Sequence, residues 1–224
     1  MTLIWQAVLG LFALAMAMAA ALFLPAGTLA YWQAWVYLGA FLVSAAVITV
    51  YLARNDPALL ERRVNSGPAA EKERTQQLVQ AVAGLAFVSV LVVSSVDHRL
   101  GWSSVPIWLA LASDLVVVLG FVAIFLVFRE NSYTAATIQV EHDQQVISTG
   151  PYAIVRHPMY AGAGVLMVAT PPALGSWWGL FAVAVLMAAI VFRLLDEERF
   201  LERNLVGYGE YKKGVRFRLV PYIW

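Results

Sequence analysis

The chain has 224 residues, of which 61% are hydrophobic and only 13% are charged, about half the charged share of an ordinary soluble domain. Such a chain cannot cover its surface with polar groups, so we expect an all-α, polytopic integral membrane protein. The lack of cysteine excludes disulfides and thiolate chemistry. The three histidines are widely spaced, so we expect no metal site, and the net charge of +1 gives no indication of a nucleic-acid partner.

Six apolar segments follow along the chain, and a spanning helix needs about 20 mainly apolar residues. Five of the segments reach or approach that length: 3–24, 31–52, 78–96, 105–128 and 177–195. The remaining segment, 158–170, is shorter, about 20 Å as a helix. It precedes Pro171-Pro172, and this pair predicts the end of the helix. We interpret 158–170 and 177–195 as a tight helical hairpin.

The placement of the basic residues favours six membrane crossings. If all six segments cross, the N-terminus, the 53–77 loop, the 129–157 loop and the C-terminal tail share one side, which holds every Lys and Arg except Arg99. The positive-inside rule makes that side cytoplasmic. We expect a single domain in the cell inner or plasma membrane, with N-terminal helices in 1–104 and a functional core in 105–224. The first apolar run lacks a basic flank, so we expect it to be a retained span.

The most polar stretch between two apolar runs is GPYAIVRHPMYAG, residues 150–162. Pro158 suits the first position of a helix, which places Arg156 and His157 at its N-terminus, where anions are favoured. Tyr160 then lies in the first turn. The alternative is that Arg156 reaches lipid headgroups while the tyrosines form an interfacial belt.

The glycines at the two ends of this motif, and Gly164 just after it, have predicted conformational roles. Gly150-Pro151 predicts a turn that delivers Tyr152 to the same place. Gly162 and Gly164 allow another backbone or a flat ring to approach the helix closely.

A second polar cluster lies where the last span ends, in FRLLDEERFLER, residues 192–203. Arg193 and Glu197 are four residues apart and therefore share a helix face. Asp196, Glu197 and Glu198 place three carboxylates at the interface, which is costly unless cationic or hydroxylated groups answer them. The alternative is a solvated helix end with local ion pairs.

Other polar residues carry weaker signals. The tail around Tyr208 and Tyr211 precedes a basic run that we expect to meet anionic lipid headgroups. Asp114, inside the fourth span, is either a functional acid or a buried hydrogen-bonding group. The sequence Glu141-His142-Asp143 does not favour a metal site, because three consecutive side chains cannot all face one ion.

Together these motifs resemble the isoprenylcysteine carboxyl methyltransferase family and, more distantly, the phosphatidylethanolamine N-methyltransferases. The resemblance rests on Gly-x-Tyr-x-x-x-Arg-His-Pro-x-Tyr, on the later Arg-x-x-x-Glu-Glu and on the paired tyrosines of the tail, and it covers roughly 129–224. It implies a membrane enzyme that uses S-adenosylmethionine, with a methyltransferase-like core in 105–224. It also implies a lipophilic acceptor, either an isoprenylcysteine-type carboxylate or a lipid headgroup, that arrives from the bilayer.

The resemblance also implies roles for individual residues. Arg193 and Glu198 are the expected catalytic residues, with Arg193 facing the acceptor, and Glu197 and Glu198 would hold the ribose hydroxyls or the ammonium of the cofactor. The full set of expected cofactor-binding residues is Gly150, Tyr152, Arg156, His157, Pro158, Tyr160, Glu197 and Glu198.

Two alternatives stay open. The tail YGEYKKGVRFRLVPYIW also resembles the C-termini of membrane sterol reductases, which use NADPH. Those enzymes usually continue His-Pro with Asn-Tyr and soon place an Asp after the Gly, whereas this chain has Met159 and Ala163. A non-catalytic transporter or scaffold is the other alternative, and the sparse polar lining of the spans speaks against a solute pathway.

Overall fold

The computed structural model describes residues 2–65, 67, 71, 73–134 and 144–224, and the regular structure within these residues is helical. The all-α prediction is therefore confirmed. In chain order the helices are α1 (Leu3–Ala26), α2 (Trp32–Asn55), α3 (Pro57–Val64), α4 (Arg74–Leu100), α5 (Ile107–Glu130), a 3-10 turn (Gly150–Ala153), α6 (Pro158–Ala173), α7 (Gly179–Asn204) and α8 (Tyr208–Gly214).

Five of these helices, α1, α2, α4, α5 and α7, are long and apolar enough to cross a membrane. They support a multi-pass membrane protein. Two extend well beyond the predicted apolar segments, since α4 begins at Arg74 and α7 continues to Asn204. The extensions are rich in Gln, Glu, Arg and Leu, which are strong helix formers, so the helices continue beyond the apolar runs.

Helix α6 has 16 residues, about 24 Å of length against a hydrocarbon core of about 30 Å. The predicted stop after Thr170 is wrong by three residues, because Pro171 and Pro172 lie in the last turn and the helix ends at Ala173. Thr170 is held inside the helix from two directions. Its hydroxyl donates to Leu166 O at 2.9 Å and lies 3.2 Å from the Tyr37 hydroxyl.

The tight hairpin predicted for α6 and α7 is not confirmed. A short turn joins α6 to α7, yet α6 packs mainly against α5 while α7 packs mainly against α4. At this turn Asp97 accepts hydrogen bonds from Ser103 and from the Ser176 hydroxyl, both at 2.5 Å. The end of α4 is thereby tied to the start of α7.

The packing of α6 on α5 depends on two glycines that face each other. A Cβ on Gly120 would lie 2.8 Å from Leu166 Cβ, and a Cβ on Gly162 would lie 3.2 Å from the Gly120 carbonyl oxygen. The prediction that Gly162 admits a neighbouring backbone is confirmed, and the neighbour is α5. This close crossing sets the position of Pro158 and Tyr160 at the start of α6.

We expect Gly120→Ala to lower the free energy of unfolding by about 1–3 kcal/mol, because the added methyl forces the two helices apart. Thermal denaturation in detergent measures the effect. Gly84→Ala on α4 is the matched control, since its Cβ would meet nothing within 4 Å. An unchanged melting temperature for Gly120→Ala would show that α5 and α6 are not closely packed at this crossing.

The polar connector between α2 and α4 begins with the short helix α3, which is amphipathic. Leu59 and Leu60 are buried against the bundle while Glu61 is exposed. The carboxylate of Asp56 accepts a hydrogen bond from the backbone N–H of Leu59 at 2.9 Å and caps the helix.

In the middle of α5, both carboxylate oxygens of Asp114 are buried and have no hydrogen-bond partner among the described residues.

Candidate functional site

The 150–157 loop is shaped as its sequence predicts. Gly150 adopts a left-handed φ of +55°, and Tyr152 follows it in the 3-10 turn. Pro158 occupies the first turn of α6 with His157 as the N-cap residue. The loop therefore brings Tyr152, Arg156 and His157 to the start of α6.

The C-terminal tail is fastened to this loop by its backbone. The N–H groups of Arg156 and His157 donate to the carbonyl oxygens of Phe217 and Arg218 at 2.9 and 3.0 Å. The Arg156 guanidinium adds two further bonds, at 2.8 Å each, to the carbonyl oxygens of Val215 and Arg216. The loop and the tail thus form one wall.

A buried carboxylate joins this wall to α7. Glu198 is 4% exposed. Its Oε1 accepts from Arg156 Nε at 2.6 Å and its Oε2 accepts from Arg218 Nε at 3.0 Å. Arg156 therefore pairs with a carboxylate of the protein itself, not with that of a ligand. Burial is tolerated because both oxygens carry charged partners.

A cleft opens between the loop, α7 and the tail, with about 790 Å³ of empty space counting its mouth. The cleft combines tyrosine rings and apolar side chains with polar groups. Its described lining residues are Asn131, Tyr133, Thr134, Gln144, Gln145, Val146, Ile147, Tyr152, Arg156, His157, Pro158, Met159, Tyr160, Glu197, Leu201, Leu205, Tyr208 and Tyr211.

Two buried polar atoms of the cleft residues have no hydrogen-bond partner among the described residues: His157 Nε2 and the Tyr208 hydroxyl. His157 Nε2 lies 3.9 Å from Glu198 Oε1, which is beyond hydrogen-bond distance. An unpaired buried polar atom costs free energy, so a ligand that satisfies both atoms would be stabilised in the cleft.

Tyr208 and Tyr152, which line the cleft, stay protonated at neutral pH. Burial raises the pKa of Tyr208, and the carboxylates of Glu198 and Glu197 raise it further. Burial likewise raises the pKa of Tyr152, whose hydroxyl accepts a hydrogen bond from Asn131 Nδ2 at 2.9 Å. Tyr208 can therefore act as a neutral hydrogen-bond donor to a ligand.

Of the expected site residues, six line the cleft: Tyr152, Arg156, His157, Pro158, Tyr160 and Glu197. Gly150 shapes the turn, and Glu198 lies behind Arg156 and Arg218 without lining the cleft. The structure therefore brings the loop and the acidic cluster together. Glu198, however, pairs with Arg156 and Arg218 inside the protein and is not exposed to a ligand in the cleft.

Arg193, expected to face the acceptor, is engaged by the protein itself. Its Nη2 lies 2.6 Å from Glu71 Oε1, its Nη1 donates to Gln76 Oε1 at 3.0 Å and its Nε donates to the Tyr160 hydroxyl at 3.2 Å. That hydroxyl in turn donates to Glu197 Oε2 at 2.6 Å.

Sequence reasoning missed Glu71 and Gln76, because both lie in polar surroundings far along the chain from the motif. Asn131 was missed as well, although an Asn shortly after an apolar span is a usable signal. Glu141, His142 and Asp143 lie outside the described residues. Within the described ranges, no group of His, Asp and Glu side chains could hold a metal ion.

A second concavity adjoins the cleft on the side of α5 and α6. This apolar groove holds about 1,690 Å³ of empty space counting its open side, and Pro158 and Tyr160 line both it and the cleft. Its walls are α5, α6, the 150–157 loop, Met187 of α7 and the C-terminal residues Leu219, Val220 and Pro221.

Fold and site together define a multi-pass, all-helical membrane protein with a polar cleft that adjoins an apolar groove. Residues 108–207 match the model of the phospholipid methyltransferase family. The matched segment contains α6, α7 and the 150–157 loop, and it supports a membrane methyltransferase. It also includes both halves of the Arg156–Glu198 pair.

A curated protein shows a shorter similarity. The chain is 31% identical over 91 residues to the mouse Delta(14)-sterol reductase TM7SF2, and this covers 39% of the chain. The chain spans only 22% of the length of that relative.

Proposed function

We propose that the protein is an integral-membrane methyltransferase that uses S-adenosylmethionine and methylates a lipophilic acceptor. The observation that carries the proposal is the cleft, whose lining includes Glu197 together with His157 and Tyr208. His157 Nε2 and the Tyr208 hydroxyl are both buried without a hydrogen-bond partner among the described residues. The match of 108–207 to the phospholipid methyltransferase family supports the reaction class.

The cleft residues fit the chemical groups of this cofactor. Glu197 suits its ammonium or ribose hydroxyls, His157 and Tyr208 suit acceptor or donor atoms on its polar parts, and Tyr152 and Tyr211 offer flat faces to a purine. When bound, S-adenosylmethionine supplies an electrophilic methyl group. The residues of the chain bind and orient the cofactor and exclude water from it, and in-line displacement gains from such preorganisation.

The groove between α5 and α6 suits the hydrocarbon part of the acceptor. Its lining is almost wholly apolar, and it meets the cleft at Pro158 and Tyr160. A lipid-linked acceptor could lie in the groove with its reactive group at these two residues. We propose a cytoplasmic position for the cleft, since the basic residues of the tail and of the 53–77 loop favour that side.

Filling the groove should block the acceptor without affecting the cofactor. Val165→Trp places an indole in the groove, and we expect at least tenfold lower turnover, because the hydrocarbon chain loses its place while the cleft is untouched. Affinity for S-adenosylhomocysteine should stay within twofold. Val185→Trp on the exposed surface of α7, outside the described groove lining, is the control. Equal turnover of both variants would exclude the groove as the acceptor site.

The acceptor is either a carboxylate of the isoprenylcysteine type or a lipid amine. An amine requires a base to remove its proton, and among the described lining residues Glu197 is the one carboxylate. Glu198 is poorly suited to this role because both of its oxygens are bound by arginines. Arg193 is paired with Glu71. To orient a carboxylate acceptor, Arg193 would have to bind the acceptor while it remains paired with Glu71.

Methyl transfer tests the proposal directly. Purified protein in lipid nanodiscs is incubated with methyl-tritiated S-adenosylmethionine and either a farnesylated cysteine or phosphatidylethanolamine. We expect label in an organic-extractable product with one of the two acceptors. No label with either would contradict both proposed acceptor classes.

A sterol or lipid reductase is the second candidate. The similarity to the mouse Delta(14)-sterol reductase favours it over the part of the chain that aligns. Met159 and Ala163 stand where membrane sterol reductases usually carry Asn and Asp, which speaks against it. Oxidation of NADPH in the presence of a sterol substrate would favour the reductase.

A further inference from the structure

The loop before α4 contributes a side chain to a chain of contacts that ends in the cleft. Glu71 Oε1 lies 2.6 Å from Arg193 Nη2, and Arg193 Nε donates to the Tyr160 hydroxyl at 3.2 Å. Tyr160 then donates to Glu197 Oε2 at 2.6 Å. We propose that Glu71 is a positioning residue that holds the Glu197 carboxylate in place for the ligand of the cleft. The proposal rests on the proposed function, in which Glu197 contacts the cofactor.

Glu71 is held firmly in this position. Its side chain is 2% exposed, its Oε1 also accepts from Gln80 Nε2 at 2.6 Å, and its backbone oxygen accepts from Gln77 Nε2 at 2.9 Å. A carboxylate buried this deeply is stable only while its charged partner stays in contact. The ion pair therefore constrains Arg193 as strongly as it constrains Glu71.

The constraint matters because Arg193 has a second acidic neighbour. Glu197 lies one turn further along α7, and side chains four residues apart share a helix face. With Glu71 in place, the Arg193 guanidinium is directed to the connector and to Gln76, and Glu197 is left to Tyr160 and the cleft. Without the Glu71 charge, Arg193 would pair with Glu197 and draw that carboxylate away from the ligand.

Glu71 also lies outside the segment that matches the phospholipid methyltransferase family, residues 108–207. The N-terminal part of the chain thus supplies a residue that acts on the cleft through α7. Gln76 reinforces the same link, since it accepts from Arg193 and donates to Asp196 Oδ2 at 2.5 Å.

The test compares the affinity for S-adenosylhomocysteine of Glu71→Gln and Glu73→Gln by calorimetry in detergent. Glu73 is exposed and caps no helix with its side chain, so its variant removes the same charge two residues away. We expect Glu71→Gln to bind about tenfold more weakly, as for a lost charged hydrogen bond, and Glu71→Asp to recover part of the loss. Glu73→Gln should stay within twofold of the wild type.

The double variant Glu71→Gln/Tyr160→Phe shows whether the effect passes through Tyr160. If it does, the affinity of the double variant for S-adenosylhomocysteine equals that of whichever single variant, Glu71→Gln or Tyr160→Phe, binds it more weakly. A lower melting temperature for Glu71→Gln with unchanged affinity would show a purely structural role, and additive losses would show that Tyr160 is not the link. No binding by the wild type would overturn the proposed function itself and, with it, this role of Glu71.

Discussion

Replacing Glu198 with glutamine is expected to lower the free energy of unfolding by about 3 kcal/mol or more, the usual cost of breaking a buried ion pair from one side. The amide leaves the Arg156 and Arg218 guanidinium groups without their shared countercharge. Because these arginines join the 150–157 loop to the tail, the wall of the cleft should loosen as well. We therefore expect a lower melting temperature together with weaker binding of S-adenosylhomocysteine.

Glu202→Gln is the matched control for this prediction. Glu202 lies on the same helix and pairs with Lys212 at 2.9 Å, but its side chain is 50% exposed. Exposed pairs contribute about 0–1 kcal/mol, so the control should be close to wild type in both measurements. If Glu198→Gln behaved like the control, Glu198 would not hold the tail against the loop.

Removing the Tyr208 hydroxyl is expected to separate stability from binding. The hydroxyl has no described partner, so Tyr208→Phe should keep or raise the melting temperature, because a buried unpaired polar atom is removed. The same change should weaken binding of S-adenosylhomocysteine by about 1–3 kcal/mol, since the polar atom of the ligand is then left unpaired. Thermal denaturation and calorimetry on one preparation measure both quantities.

Tyr211→Phe gives the opposite pattern and serves as the comparison. The Tyr211 hydroxyl donates to Tyr152 O at 2.8 Å, so its loss should cost about 1 kcal/mol of stability. Its effect on binding should be smaller than that of Tyr208→Phe. Destabilisation by Tyr208→Phe without weaker binding would mean that the hydroxyl serves the free protein rather than a ligand.

Much of the architecture could be predicted because the signals are local. Apolar length predicts the five long helices, and Pro158 predicts the start of α6. The glycine pair that lets α5 and α6 approach could be predicted only in part. Gly162 was expected to admit a neighbour, but its partner Gly120 lies in an apolar stretch of α5, where nothing in the sequence distinguishes it.

The assembly of the site could be predicted at the level of segments, and its individual pairings could not. Arg156 of the loop and Glu198 of the acidic cluster both belong to the expected cofactor-binding set, and the two side chains lie 2.6 Å apart. Their pairing with each other, rather than with a ligand, depends on the depth of burial, which sequence spacing does not give. The same holds for Arg193, whose partner Glu71 is separated from it by 122 positions in the chain.

The distribution of charge around the cleft indicates which ligand group Glu197 can bind. Arg193 pairs with Glu71, and Arg156 shares the Glu198 carboxylate with Arg218. Glu197 is then a carboxylate at the cleft whose described partner is the neutral Tyr160 hydroxyl. This arrangement favours a cationic or polar neutral group of the ligand at Glu197 over an anionic one.

Calorimetric titration of the purified wild-type protein with S-adenosylhomocysteine and, separately, with NADPH tests the central claim most directly. We predict saturable binding of S-adenosylhomocysteine that is lost in the His157→Ala variant, and no binding of NADPH. Binding of NADPH without binding of S-adenosylhomocysteine would contradict a methyltransferase cleft and favour a reductase, and binding of neither would leave the chain without the cofactor on which the proposed reaction depends.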